Sequence, residues 1–235
     1  MTATLHYIYD PLCGWCYAAA PLIEAAAKLP GLRIAMHAGG MMAGNARRPV
    51  TEGLRTYVLP HDARITQMTG QPFGDAYRDG LLRDTTAVLD SEPPTTAILA
   101  AEQLHAGDGL RMLHRLQQAH YVEGRRIADA GVLEAAAQDI GLDAAAFSQA
   151  CAEQGGTKTQ AHIDASRRLL DEVGGSGFPT VVLETSEGVG RVELGGFLGQ
   201  PQVFAEKLGE WLDSLPDSEI TVADAPNCDL NGRNC

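Results

Sequence analysis

Cys13 and Cys16 stand three positions apart and enclose Gly14 and Trp15. A Cys-x-x-Cys pair can exchange disulfides, hold half of a metal site, or pack as two inert side chains. Exchange needs one sulfur as a thiolate and a second close behind it to resolve the mixed disulfide. Zinc needs two more ligands at short spacing. The remaining cysteines are Cys151, Cys228 and Cys235, and the last two, with six residues between them, do not make a knuckle. His37, His61, His105, His114, His120 and His162 show no ligand spacing and read as surface or core histidines, and Cys151 reads as a buried apolar filler. Five cysteines in 235 residues are no disulfide framework. The pair therefore points to redox chemistry, with Cys13 as nucleophile and Cys16 as resolving thiol and no metal.

The elements around the pair support that assignment. Residues 4–9 are β-rich and run into a turn at Asp10-Pro11. From Cys13 to Lys28 the chain is Ala-rich, with Leu22, Ile23, Ala26 and Leu29 at helical spacing, and Pro30-Gly31 closes it. Cys13 then sits at a helix N-terminus, where unpaired N–H groups and the dipole favour an anion, and Cys16 lies one turn further in. Pro21 removes a backbone bond inside that helix and predicts a kink. The nearest carboxylates, Asp10 and Glu24, read as surface or capping groups, and His6 and Tyr7 occupy the first strand where a buried acid could stand. Residues 32–38 alternate as a second strand, so the chain opens strand–helix–strand with a right-handed crossover.

Residues 51–175 carry little strand signal, and helices are predicted at 95–105, 110–122, 132–140, 144–152 and 159–173. Strand signal returns after Gly177-Phe178-Pro179-Thr180, with β runs at 179–184 and 190–194 forming a hairpin, and a last helix covers 202–212. The organisation expected is a domain made of residues 1–50 and 176–214, an inserted helical subdomain at 51–175, and a flexible tail at 215–235. X-Pro bonds can be cis. A cis Pro179 would let Phe178 offer its backbone to an extended substrate. The tail holds Cys228 and Cys235, with a turn signal at Asn231-Gly232 that could bring the sulfurs together. They are either incidental thiols or an auxiliary redox pair.

Composition narrows the partners. Apolar residues make up 45% of the chain, enough for a real core, and the net charge of −12 disfavours nucleic acid and anionic membrane. No apolar run is long enough to span a bilayer, and the first residues do not read as a signal sequence. A cytoplasmic setting is the expectation.

The CxxC after the first strand, the proline five residues later, the helical insertion and the late proline before a hairpin together resemble the thioredoxin superfamily, and the insertion resembles its DsbA branch. More narrowly, Tyr9-Asp10-Pro11-Leu12-Cys13-Gly14-Trp15-Cys16-Tyr17, Gly70-Gln71-Pro72-Phe73-Gly74, Leu89-Asp90-Ser91-Glu92-Pro93 and Gly177-Phe178-Pro179-Thr180 resemble bacterial DsbA-family predicted disulfide isomerases, cousins of the FrnE-like proteins. The resemblance covers roughly residues 4–213. It implies an α/β thioredoxin fold, Pro179 as a cis-proline, and substrate contact at Gly14, Trp15, Phe178 and Pro179. It implies action on protein thiols or disulfides without a bound cofactor, with electrons exchanged with glutathione or thioredoxin. Gly-Trp stands where periplasmic DsbA has Pro-His, which implies a less oxidising pair. Two other readings compete. Kappa-class glutathione transferases and chromene-carboxylate isomerases share the architecture but usually keep serine in place of the first cysteine, and a peptide-binding chaperone module would not need Cys13.

Overall fold

The computed structural model describes residues 3–214, so Cys228 and Cys235 lie outside the described residues. The chain opens with β1 (Ala3–Tyr9), α1 (Gly14–Ala26) and β2 (Leu32–Ala38). β1 and β2 pair in parallel from Ala3↔Leu32 to Tyr9↔Ala38, which the α1 crossover makes possible. A two-residue strand β3 (Arg48–Pro49) follows, then α2 (Glu52–Thr69) and β4 (Val88–Leu89), which pairs with β3. Next come α3 (Glu92–Leu104), α4 (Asp108–Tyr121), α5 (Ala130–Asp139), α6 (Ala144–Gln154) and α7 (Thr157–Glu172). The chain then re-enters the sheet with β5 (Thr180–Thr185) and β6 (Gly188–Arg191), and α8 (Pro201–Asp213) closes it.

The main sheet has the order β2-β1-β5-β6. β5 runs antiparallel to β1, with Ile8 opposite Thr180. That register sets Pro179 beside the end of β1, where the chain turns toward Cys13. α1 packs on α8, while α7 packs against β2. α3 packs on α4, α6 and α7, so the helices of the insertion share one apolar interior, with Ile98, Met112, Leu113, Leu116 and Phe147 buried in it. Among the described residues no helix is long and apolar enough to cross a membrane.

The thioredoxin fold with a helical insertion is as the motifs implied, with differences at the edges. α3 begins at Glu92 rather than 95, because Pro93 and Pro94 fall in the first turn, where a missing N–H costs nothing. The second hairpin strand covers 188–191 rather than 190–194. α2 was not anticipated at all.

Candidate active site

Cys13 is the N-cap of α1, with extended backbone, and accepts the helix's first turn through its carbonyl: Cys16 N and Tyr17 N lie 3.0 and 3.1 Å from Cys13 O. No side chain caps this helix and its first turn carries no acid, so its N–H groups are left for the Cys13 sulfur. The thiol is 6% exposed and its Sγ donates to Phe178 O at 3.4 Å. Phe178 is 165 residues away in sequence, and its peptide bond to Pro179 is cis. Cys16 is fully buried. Burial first, then its hydrogen bond to Cys13 and the charge there, push the Cys16 thiol well above its usual range. The two sulfurs are thus unequal: one at the mouth and one behind it.

The corner that aims Cys13 is built by Asp10. The sequence reading gave this residue a surface or capping role. It does cap its turn, accepting from Leu12 N at 2.8 Å, but it is fully buried. It also accepts from Ser91 Oγ at 3.0 Å and from Met41 N. Burial raises its carboxyl to about 6, against the pull of these hydrogen bonds and of the Arg167 charge. Glu24 is a half-exposed partner of His114 on α4. Phe178 is positioned by the end of β2: a Cβ on Gly39 would come within 2.2 Å of its ring, so only glycine leaves room there. Arg167 of α7 fixes the same corner through Gly39 O and Gly40 O at 2.8 and 2.6 Å.

The 70–74 segment ties the insertion to α1. Gly70 ends α2 in the left-handed region at φ 74°, Gln71 Nε2 donates to Tyr17 O at 3.0 Å, and Tyr17 Oη donates to Pro72 O at 3.0 Å. Phe73 meets Tyr17 and Tyr121 edge-on, and Tyr17 stacks on Tyr121 at 4.8 Å. In the 89–93 segment, Ser91 is the member that reaches the site, through Asp10.

A groove of about 240 Å³ runs beside the pair, lined by Trp15, Phe178, Pro179, Arg191, Glu193 and Leu194. The structure thus gathers Cys13, Cys16, Gly14, Trp15, Phe178 and Pro179 in one place. It adds residues that the sequence reading passed over. The guanidinium of Arg64 on α2 lies over the Trp15 ring at 5.8 Å. Asp62, two residues earlier, is buried against the start of α1. Cys151 is half-buried on α6, and burial raises its thiol to about 11.

The DSBA-like thioredoxin domain family matches residues 4–200. The cytosolic disulfide reductase DsbM from Pseudomonas aeruginosa is similar at 51% identity and TM-score 0.84, over 89% of this chain and 98% of that one. Its structure with GSH is similar at 49% identity and TM-score 0.82, over 89% and 99%. A 2-hydroxychromene-2-carboxylate isomerase shares the fold alone, at 15% identity and TM-score 0.55, over 91% and 99%. No curated protein matches the chain.

Proposed function

The chain belongs to the DSBA-like thioredoxin domain family of thiol–disulfide oxidoreductases, and from that premise we propose that it is a disulfide reductase acting through Cys13 and Cys16 on protein and glutathione mixed disulfides. One observation carries the reading: the Cys13 sulfur sits at an uncapped helix start, 3.4 Å from Phe178 O, with the Cys16 thiol buried one turn behind.

The chemistry follows from that inequality. The Cys13 thiolate attacks one substrate sulfur, and the other leaves as a thiolate that takes up a proton. Cys16 loses its proton, attacks the Cys13 sulfur and expels the bound substrate, leaving a Cys13–Cys16 disulfide. Burial of Cys16 keeps it protonated until the mixed disulfide has formed. The Phe178 backbone, freed from Cys13 when that sulfur is engaged, pairs with an extended substrate segment lying in the groove along Pro179. Two glutathione thiols, or a thioredoxin-type dithiol, return the electrons, so no resident cofactor takes part. The similarity to a cytosolic reductase solved with GSH supports the direction, the electron source and a reducing, cytosolic setting.

Cys13→Ser should abolish reduction of insulin and of a glutathionylated peptide while circular dichroism stays unchanged. Cys16→Ser should stall as a mixed disulfide visible by mass. Turnover that survives Cys13→Ser would remove the reading and favour a peptide-holding module instead.

A further inference from the structure

Asp62 is 5% exposed on α2, and its two carboxylate oxygens face different surroundings. Oδ2 accepts from Tyr77 Oη at 3.3 Å. Oδ1 makes no hydrogen bond with the described residues and points at the dithiol loop: a Cβ placed on Gly14 would lie 3.7 Å from it. Gly14 is the first residue of α1 and follows Cys13, the N-cap, and no side chain caps that helix start. Two acidic groups therefore approach one helix end, which offers about half a positive charge. We propose that Asp62 is a tuning residue for the dithiol, its carboxylate competing with the Cys13 thiolate for the positive end of α1 and so making the reduced pair a stronger electron donor.

The inference rests on the reading of Cys13 and Cys16 as the reacting pair. In the reaction, Cys13–S⁻, Cys16–SH and R–S–S–R′ give the Cys13–Cys16 disulfide, R–S⁻ and R′–SH, so two electrons and one proton pass to the substrate. Asp62 alters neither products nor balance. Its negative charge raises the free energy of the thiolate on the left-hand side, which favours giving the electrons away. The groups that act on Asp62 or face it are Tyr77 and Arg78 in the turn at 76–80, Tyr121 on α4 and the Gly14 backbone at the start of α1, with His61 and Arg64 near it in sequence on α2. Burial dominates and raises the Asp62 carboxyl to about 7, while the Tyr77 hydrogen bond and the Arg78 charge pull it down. The charge thus switches on across neutral pH, and with it the reducing strength of the pair.

The test is the pH profile of Cys13 alkylation in the full chain, read by peptide mass between pH 5 and 9, with the potential of the pair measured against glutathione. Wild type should show an extra inflection near neutrality. Asp62→Asn should remove it and move the Cys13 alkylation profile about one unit to lower pH, which above the midpoint of that profile corresponds to a potential about 30 mV less reducing. Asp62→Glu should restore the inflection. Tyr77→Phe removes a bond that favours the carboxylate, so the inflection should move to higher pH, and this variant carries the test if Asp62→Asn does not fold. Profiles and potentials of Asp62→Asn, or of Tyr77→Phe where it stands in, that superimpose on wild type would overturn the proposal. Neither readout needs turnover of a protein disulfide, so activity that survives Cys13→Ser would sink the functional reading without deciding this one.

Discussion

At the scale of single residues, the turn that carries Cys13 depends on the buried carboxylate of Asp10. Asp10 accepts from Leu12, Met41 and Ser91, and so joins the Cys13 turn to the end of β2 and the start of α3. Asp10→Asn keeps one acceptor oxygen and turns an amide donor on a buried N–H or hydroxyl partner. Leaving such a donor unmet costs about 1–3 kcal/mol, so the variant should unfold at lower urea at pH 7.5 and lose turnover severalfold as the Cys13 turn loosens. Unchanged stability would mean that water replaces the clamp. The capping part of this role was legible, because the donor, Leu12 N, is two residues on. Its burial was not, because the residues that enclose it are 31 and 81 positions away. Asp62 was hidden in the same way: Tyr77 and Gly14 give it meaning, and neither forms a pattern with it along the chain. Cys13, Cys16 and Pro179 were legible because each breaks a local rule in a place where only chemistry rewards the break.

Elements were read well where an apolar stripe repeats and missed where it does not. α4 buries Met112, Leu113, Leu116 and Tyr121 along one face, and its helical period is plain. α2 buries only Asp62 and Ile65 of its 18 residues and carries Pro60 inside, so periodicity is silent and a breaker is present. It is a helix because its ends are satisfied, by Thr51 Oγ1 on Leu54 N at 3.1 Å and by Gly70 at the other end, and because it docks on α1. Its exposure follows from its place, since one face of it borders the dithiol. The turn after β2 makes the opposite case, since Gly39 packs against Phe178 and the Gly39 and Gly40 carbonyls hold Arg167. Gly39→Ala would force its Cβ into the Phe178 ring, which has the cis-proline behind it and Arg167 across the corner. Overpacking of this kind costs about 1–3 kcal/mol. The expected outcome is a moderate loss of urea stability with a larger loss of kcat/KM on protein disulfides, because the Phe178 carbonyl moves off Cys13. Kinetics indistinguishable from wild type would show that the ring relocates without carrying its backbone.

Across the whole molecule, buried titrating groups of opposite kind face each other in pH. Burial lowers His37 and His120 to about 4, against an ordinary value near 6.5. As pH falls from 6.5 to 4 the unfolded chain takes up protons that these folded histidines refuse, and stability is lost. Asp10 and Asp62 are raised to about 6 and about 7, so across much of the same interval the folded carboxyls take up protons that the unfolded chain does not, and stability is gained. Each unit of displacement is worth about 1.4 kcal/mol, so each group contributes a few kcal/mol and the two pairs oppose each other. Urea midpoints of the wild-type protein should therefore stay nearly level between pH 7 and 4.5. His120→Asn removes one descending contribution, and its stability should rise on acidification relative to wild type. Asp62→Asn should tilt the other way and weaken toward acid. Midpoints of both variants that run parallel to wild type at every pH would show that these groups titrate alike in the folded and unfolded chains. A level stability curve also has a use at the active site: the reducing strength of the dithiol can change with the charge on Asp62 while the fold that aims Cys13 at Phe178 holds constant.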